Sequence, residues 1–193
     1  MLLGSLSLLS QPVAGSPENP DSEFGFHGKS IHPLLIKQFE PWISDARPPI
    51  IVEVNLTAAW DSNEYAAGFK ADSNGVVSIN LPERASYAYR HLGRLRDGTH
   101  VLRTSYAGGG SGVFEAILFV RFRTNLTYLA NGVMQGQQTF LRVIRRYPLG
   151  DRDEAEVVVK QDHVIVGKSR YRADPVALKF GKDDAVPEKQ KSN

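Results

Sequence analysis

The sequence predicts an all-β protein, an antiparallel sandwich or a partly closed barrel with one short helix near the N-terminus. Apolar residues recur at every second position in most segments between residues 50 and 180, as expected for strands with one buried face. Turn residues separate these segments at short intervals. No long helical pattern alternates with them, which argues against a parallel α/β fold.

Length and composition are those of an ordinary globular protein with one hydrophobic core. The chain has 193 residues, of which 41% are hydrophobic and 23% charged. Its formal net charge of +2 produces little long-range field, so we expect no nucleic-acid partner. The absence of cysteine excludes disulfides, thiolate catalysis and cysteine-ligated metal centres.

Residues 1–30 are interpreted as a possible signal segment followed by a linker. An apolar stretch, Leu2 to Leu9, leads to the small residues Val13-Ala14-Gly15, which suit signal-peptidase cleavage. This predicts a periplasmic or secreted protein. A cytoplasmic location is the alternative, because no Lys or Arg precedes the apolar part.

The rest of the chain is predicted to form a single β-rich domain at residues 31–181 and a polar, disordered tail at 182–193. No apolar run approaches the roughly 20 residues that a membrane helix needs. We therefore expect no transmembrane span, and peripheral membrane association is left open.

The domain begins with a short helix in the segment "HPLLIKQFEPWISD". Pro33 suits a first helical position, and Pro41 ends the helix. Leu34, Leu35, Ile36 and Phe39 form the apolar stripe between them.

Strands follow the helix at regular intervals. Asn74-Gly75 is a strong hairpin turn, and Asp97-Gly98 is another turn of the same kind. The first five predicted strands are Ile50–Leu56, Glu64–Lys70, Val76–Asn80, Ser86–Leu92 and Thr99–Tyr106.

A long strand starts at Phe114. Its alternate residues to Phe122 are all apolar and are predicted to form one core face, while the opposite face carries Glu115, Ile117, Phe119, Arg121 and Arg123. The remaining predicted strands are Thr139–Tyr147, Ala155–Lys160, His163–Gly167 and Val176–Phe180.

The glycine-rich segment "YAGGGSGVF" is interpreted as a turn between two strands. A phosphate-binding loop needs a lysine after its last glycine and a helix beyond it, and neither follows Gly112. A hydrolase elbow around Ser111 needs glycine where Val113 stands. The remaining alternative is a flexible binding loop.

A binding surface is predicted from arginines, a tyrosine and this glycine loop. Arginines on one sheet face clamp carboxylate, phosphate or sulfate groups, and tyrosine stacks on sugars or peptides. A solvated arginine face paired with glutamates is the alternative. The predicted binding residues are Arg103, Tyr106, Gly109, Gly110, Ser111, Arg121 and Arg123.

A second hypothesis is a hydrolase or small-ligand site assembled from separated strands, with Asp61, Glu64, His91, His100 and Arg103 as candidates. His91 and His100 flank one hairpin, so they are placed to meet across strands. The histidine spacing matches no metalloprotease motif. We predict no catalytic residue, no metal and no cofactor.

Several segments resemble a family of bacterial proteins without an assigned activity. They are "HPLLIKQFEPWISD", "VEVNLTAAWDSNEY", "YRHLG", "GTHVLRTSYAGGGSGVF" and "LGDR", spread over residues 28 to 170. The resemblance implies a bacterial source and a single domain. It transfers no catalytic residue.

The sequence therefore favours an exported, non-enzymatic β-rich module that binds a protein or a glycan, or that serves as an accessory subunit of a larger assembly. Exposed strand edges and the glycine loop are the expected contact regions, because an open edge accepts another chain. The oligomeric state is not predicted.

Overall fold

The computed structural model describes residues 24–40, 51–62, 68–128 and 131–180. The predicted signal segment, the linker up to residue 23, residues 64–67 of a predicted strand and the polar tail lie outside these ranges. The predictions made for them stay predictions.

Twelve strands and two short α-helices make up the described part of the chain. The helices are α1, Pro33–Lys37, and α2, Leu56–Asp61, and a 3₁₀ turn covers Pro82–Arg84. The strands are β1 Gly25–Phe26, β2 Lys29–Ser30, β3 Glu53–Asn55, β4 Lys70–Ala71, β5 Val76–Asn80, β6 Ala85–Arg94, β7 His100–Gly108, β8 Val113–Tyr128, β9 Met134–Asp151, β10 Val157–Val159, β11 His163–Val166 and β12 Val176–Lys179.

These strands form antiparallel sheets, as the sequence predicts. The main sheet has seven strands in the order β3-β9-β8-β7-β6-β5-β4, and a second sheet has the order β10-β11-β12. β1 and β2 form a small separate hairpin. Within the described ranges the main sheet is open, with β3 and β4 at its edges, and does not close into a barrel.

Hydrophobic cores lie on both faces of the main sheet. On the front face, α1 and the β1–β2 hairpin pack against Tyr87, Leu102 and Leu118. On the back face, the three-stranded sheet packs against Ile117 and Phe119. The main sheet is thus the middle layer of a three-layer arrangement.

Burial along β8 differs from the predicted single core face. Ile117 and Phe119, assigned to the opposite face, are both 0% exposed, whereas Phe114 is 48% exposed. The physical reason is non-local, because the back face is covered by strands that follow β8 by some 30 residues or more. Glu115 and Arg121 lie at the two ends of the covered stretch, and their charges led to the prediction that this face is exposed to solvent.

Two local segments also differ from the prediction. Residues 24–30, assigned to the linker, contain the β1–β2 hairpin and bury Phe24, which is 1% exposed. Leu56, assigned to the end of a strand, instead opens α2. Asn55 caps this helix, since its Oδ1 accepts a hydrogen bond from the Ala58 amide at 3.0 Å.

The two predicted hairpin turns are confirmed. In the first, Asp72 Oδ1 accepts hydrogen bonds from the amides of Asn74 and Val76, both at 2.9 Å, and Gly75 adopts φ 74°. In the second, Asp97 Oδ1 accepts from the Thr99 amide at 3.0 Å. Acidic side chains of this kind stabilise a turn by replacing backbone partners.

Candidate functional site

A long hairpin projects from one end of the main sheet. β8 and β9 pair as far as Tyr128 and Met134. β7 stops pairing with β8 at Val120, and β3 stops pairing with β9 at Phe140. Residues 121–128 and 131–139, which we call the arm, therefore extend past both neighbouring strands.

The first residues of α2 support the base of the arm. Thr57 Oγ1 accepts a hydrogen bond from the Thr139 amide at 2.9 Å, and Asn55 Nδ2 donates to Gln138 Oε1 at 2.5 Å. These contacts lie on the β9 side. On the β8 side, no described strand pairs with residues 121–128.

The tip of the arm, residues 126–128 and 131–134, carries exposed apolar side chains. Leu126 is 57% exposed, Tyr128 60%, Val133 55% and Met134 59%. The register places Leu126, Tyr128 and Met134 on the front face of the sheet. Scattered exposed hydrophobics are normal, but a cluster of this kind marks a contact surface.

Arginines lie on the back face near the base of the arm. Arg121 is directly opposite Arg142, Arg123 is two residues further along β8, and Arg145 is opposite Phe119. This confirms that Arg121 and Arg123 share a face with neighbouring arginines of β9. Like charges directly opposite each other destabilise a strand pair, so counter-charges are expected nearby.

Asp97 supplies part of that counter-charge through a salt bridge, and Glu53 lies on the neighbouring strand. Arg121 Nη2 lies 2.5 Å from Asp97 Oδ2 and donates to Thr99 Oγ1 at 2.8 Å. Glu53 of β3 lies opposite Arg142. Arg123 is exposed and forms no salt bridge with a described residue, so its charge is available to an outside ligand.

The structure does not bring the predicted binding residues together. Gly109, Gly110 and Ser111 lie in the turn between β7 and β8, at the end of β8 opposite the arm. Tyr106 lies near that turn on the front face, with the Lys37 ammonium 5.1 Å from its ring centroid. The predicted set therefore occupies separate regions of the sheet.

Arg103 lies on the back face and binds the segment that leads into the three-stranded sheet. It donates to the carbonyl oxygens of Asp153 and Ala155 and pairs with Glu115 Oε2 at 2.5 Å. The guanidinium is thus used to join two layers of the fold.

Asp153 completes the same junction. Its carboxylate accepts hydrogen bonds from the Ala155 amide at 2.8 Å, the Ser169 hydroxyl at 3.0 Å and Arg172 at 3.2 Å. Burial opposes ionisation of this side chain, but these three donors together hold its pKa below the usual value. Asp153 and Arg172 form a buried structural ion pair.

Glu40 is the centre of a polar cluster on the front face. Its carboxylate accepts hydrogen bonds from the Tyr87 hydroxyl at 2.5 Å, the Thr104 hydroxyl at 2.9 Å and Arg146 Nε at 3.2 Å. Burial raises the pKa of Tyr87, and the adjacent Glu40 charge raises it further. Sequence reasoning missed this cluster, because its members are up to 106 residues apart.

His91 and His100 meet across the β6–β7 hairpin, as their positions suggested. Nδ1 of His100 lies 3.2 Å from Nε2 of His91. The Phe24 ring stacks on His91 at 5.5 Å between centroids and lies 5.3 Å from the His100 ring. Burial, together with the charges of His91 and Arg94, lowers the pKa of His100 to about 4.

This histidine pair is a packed element of the front-face core rather than an open site. His100 is 5% exposed beneath Phe24. The other residues of the second hypothesis do not surround it, since Asp61 is exposed at the end of α2 and Arg103 is on the back face. Glu64 lies outside the described residues. Nowhere in the described ranges do three or more potential metal ligands come together.

No protein-family model, no curated protein and no solved structure matches this chain. Within the described ranges, no helix is long and apolar enough to cross a membrane. The arm is therefore identified as the candidate site from its geometry alone. One sequence signal could have indicated it, since residues 124–141 contain no Asp, Glu, Lys, Arg or His in a chain that is 23% charged.

Proposed function

We propose that the protein is an exported, non-enzymatic β-rich binding module that contacts a partner protein, or joins a larger assembly as an accessory subunit, through the arm. The observation that carries the proposal is the open edge of β8. Residues 121–128 have no neighbouring described strand on the side away from β9. An extended segment of a partner adds to such an edge through backbone hydrogen bonds.

The side chains of the arm favour a protein over a glycan. Leu126, Tyr128 and Met134 offer apolar area on one face, which suits burial against another protein. Glycan recognition would rely on stacking, and Tyr128 is the single aromatic residue among the described residues of the tip.

The polar clusters elsewhere support a role in binding rather than catalysis. Glu40, Arg103 and Asp153 each make three internal contacts, and these contacts join elements that are distant in sequence. Such saturation is typical of structural networks.

The test compares the full chain with a variant in which an Asn-Gly turn replaces residues 126–137. Asn125 and Gln138 are paired in the register, so a two-residue turn between them closes the shortened hairpin. Both proteins are immobilised and exposed to a soluble extract of the source organism. Gly110→Ala, at the opposite end of β8, is the matched control.

We expect the full chain and the control to retain the same partner protein, and the shortened variant to lose it. In the reconstituted complex, amide hydrogen exchange should slow along the open edge, residues 121–128, most of all at residues 126–128, which the shortened variant lacks. Equal retention by all three proteins, or protection confined to another region, would contradict the proposal.

A further inference from the structure

We propose that the tip of the arm docks on the surface of anionic lipid bilayers. This inference goes beyond the protein partner proposed above, because it concerns the side chains of the tip rather than the backbone edge of β8. Three features support it: the apolar tip, the uncharged stretch of residues 124–141 around it, and the arginines at the base of the arm.

The tip presents large apolar side chains to solvent on a hairpin that extends past the neighbouring strands. Leu126, Tyr128, Val133 and Met134 each have more than half of their surface exposed. Apolar and aromatic side chains in this position insert into the region between lipid headgroups and acyl chains. Tyr128 suits this interface, since its ring is apolar and its hydroxyl remains near water.

The stretch that surrounds the tip has no charged group that would oppose its insertion into the bilayer interface. From residue 124 to residue 141 the chain carries no acidic residue, no lysine, no arginine and no histidine. The ladder between β8 and β9 satisfies the inward-facing backbone groups as far as Tyr128 and Met134. No described strand pairs with the outward edge of residues 124–128, and this open backbone limits insertion to the interfacial layer rather than the hydrocarbon core.

Arginines follow at the depth of the phosphate groups. Arg123 is three residues from Leu126, which is roughly 10 Å along the strand. Arg121 and Arg142 lie one level further back, opposite each other. Arginine binds phosphate oxygens through two parallel hydrogen bonds, so this row would contact anionic headgroups while the tip is inserted.

The charges around this row leave a positive excess. Asp97 pairs with Arg121, and Glu53 lies opposite Arg142. Arg123 and Arg145 form no salt bridge with a described residue, although the Arg145 guanidinium lies 5.8 Å from the Phe180 ring centroid. A polyanionic glycan or nucleic acid would use these arginines but would leave the apolar tip in water. An anionic bilayer would bind the arginines through its headgroups and bury the apolar tip.

The absence of native cysteine makes a site-specific test possible. Val133→Cys introduces a single thiol at the tip, and Ser111→Cys introduces one at the opposite end of β8 as the control. Each is labelled with an environment-sensitive fluorophore. The labelled proteins are mixed with vesicles of phosphatidylcholine alone, or of phosphatidylcholine with phosphatidylglycerol.

We expect the label at residue 133 to shift to shorter wavelength and brighten severalfold with the phosphatidylglycerol vesicles, while the label at residue 111 stays unchanged. Replacing Leu126 and Met134 by serine should abolish vesicle binding. Replacing Arg123 by glutamine should weaken it by about fivefold, whereas replacing Arg145, which lies further from the tip, should have a smaller effect. Both changes are at exposed positions, and circular dichroism would confirm that the variants fold.

Three results would overturn the inference. The first is that the label at residue 133 stays in water with both vesicle types. The second is that the protein binds both vesicle types equally. The third is that the emission changes with protein concentration when no vesicles are present. The last result would indicate pairing with a second copy of the chain. Retention of the soluble partner is measured without lipid, so failure here leaves the proposed function standing.

Discussion

At the scale of single residues, buried polar side chains join parts of the chain that are far apart in sequence. Glu40 follows α1, yet its carboxylate lies between Tyr87 of β6 and Thr104 of β7. Burying these hydroxyls is tolerated because each donates a hydrogen bond to a charged acceptor. The position of α1 on the sheet therefore depends on this carboxylate as well as on apolar contacts.

Removing that acceptor should be costly. We expect Glu40→Ala to lower the free energy of unfolding by about 2–3 kcal/mol, because the Tyr87 hydroxyl stays buried without a charged partner. Urea unfolding gives the value. In a Tyr87→Phe background the same substitution should cost at least about 1 kcal/mol less. Additive effects of the two substitutions would contradict the assigned hydrogen bond.

His100 predicts a pH dependence of stability. Its pKa in the folded protein is about 4, below the ordinary value of 6.5, so the unfolded chain binds a proton first as the pH falls. Its contribution is complete above pH 6.5 and is lost as the pH falls towards 4. By linkage, and allowing for screening by solvent, the loss is on the order of 1–3 kcal/mol for His100 alone.

The measurement is the free energy of unfolding at several pH values between 7 and 4. We expect His100→Gln to be less stable at pH 7 and to lose less stability on acidification than the unmodified chain. An identical slope in both proteins would show that another group accounts for the pH dependence.

At the scale of elements, the turns at Asn74-Gly75 and Asp97-Gly98 can be predicted from local sequence. The glycine-rich turn between β7 and β8 also depends on a contact with a distant part of the chain. Gly109 adopts φ 84°, and a Cβ atom there would overlap the carbonyl oxygen of Glu83 in the 3₁₀ turn. Glycine is therefore required by the packing of residues 82–84 against the β7–β8 turn, in addition to its own backbone conformation.

A pair of substitutions within this turn tests that requirement. Gly109→Ala should destabilise the fold by about 2 kcal/mol or more, through the positive φ and the steric overlap. Gly110→Ala should be nearly neutral, because no atom lies within 4 Å of its added Cβ. Thermal unfolding of both variants distinguishes them. Equal effects would mean that the contact with Glu83 is not maintained in solution.

Elements that depend on local signals were predicted well, and those with competing signals were not. β5 has the predicted bounds, Val76–Asn80, because alternation and the preceding Asn-Gly turn agree. α2 was not predicted, because apolar residues alternate with other residues up to Leu56 as they do in a strand. The capping role of Asn55, which starts the helix, is evident only in the structure. Local signals of equal strength cannot be ranked without the tertiary contacts.

At the scale of the whole molecule, the arm stands apart from both cores. The front-face and back-face cores lie in the sheet and its covering layers, and no described residue between 124 and 139 belongs to either. The arm thus projects from a sheet whose two cores form without it, as expected of an element that binds a partner.

This separation predicts the behaviour of the shortened protein. Replacing residues 126–137 by Asn-Gly should change the free energy of unfolding by about 1 kcal/mol or less, since none of the described side chains it removes belongs to a core. Denaturant unfolding of the two proteins provides the comparison. A loss of several kcal/mol, or an unfolded variant, would show that the arm belongs to the folding unit.

The candidate site shows the same division between local and non-local information. Arg121 and Arg123 were singled out from their alternation along one strand, and the register confirms the neighbouring arginine of β9. The apolar tip was overlooked, because its importance depends on where β7 and β3 end. Arg103 was predicted to bind an outside ligand, but its contacts with the Asp153–Ala155 segment appear only in the tertiary structure.

By itself, the sequence determined the all-β class, most strand positions and the two aspartate-supported turns, because alternation and turn chemistry act between residues a few positions apart. Only the tertiary structure decided that residues 116–120 of β8 are buried on both faces, that Glu40 and Arg103 make internal contacts, and that β8 and β9 extend past their neighbouring strands. Burial and pairing are set by strands distant in sequence, and a segment's own residues do not specify which neighbours cover it or where those neighbours end.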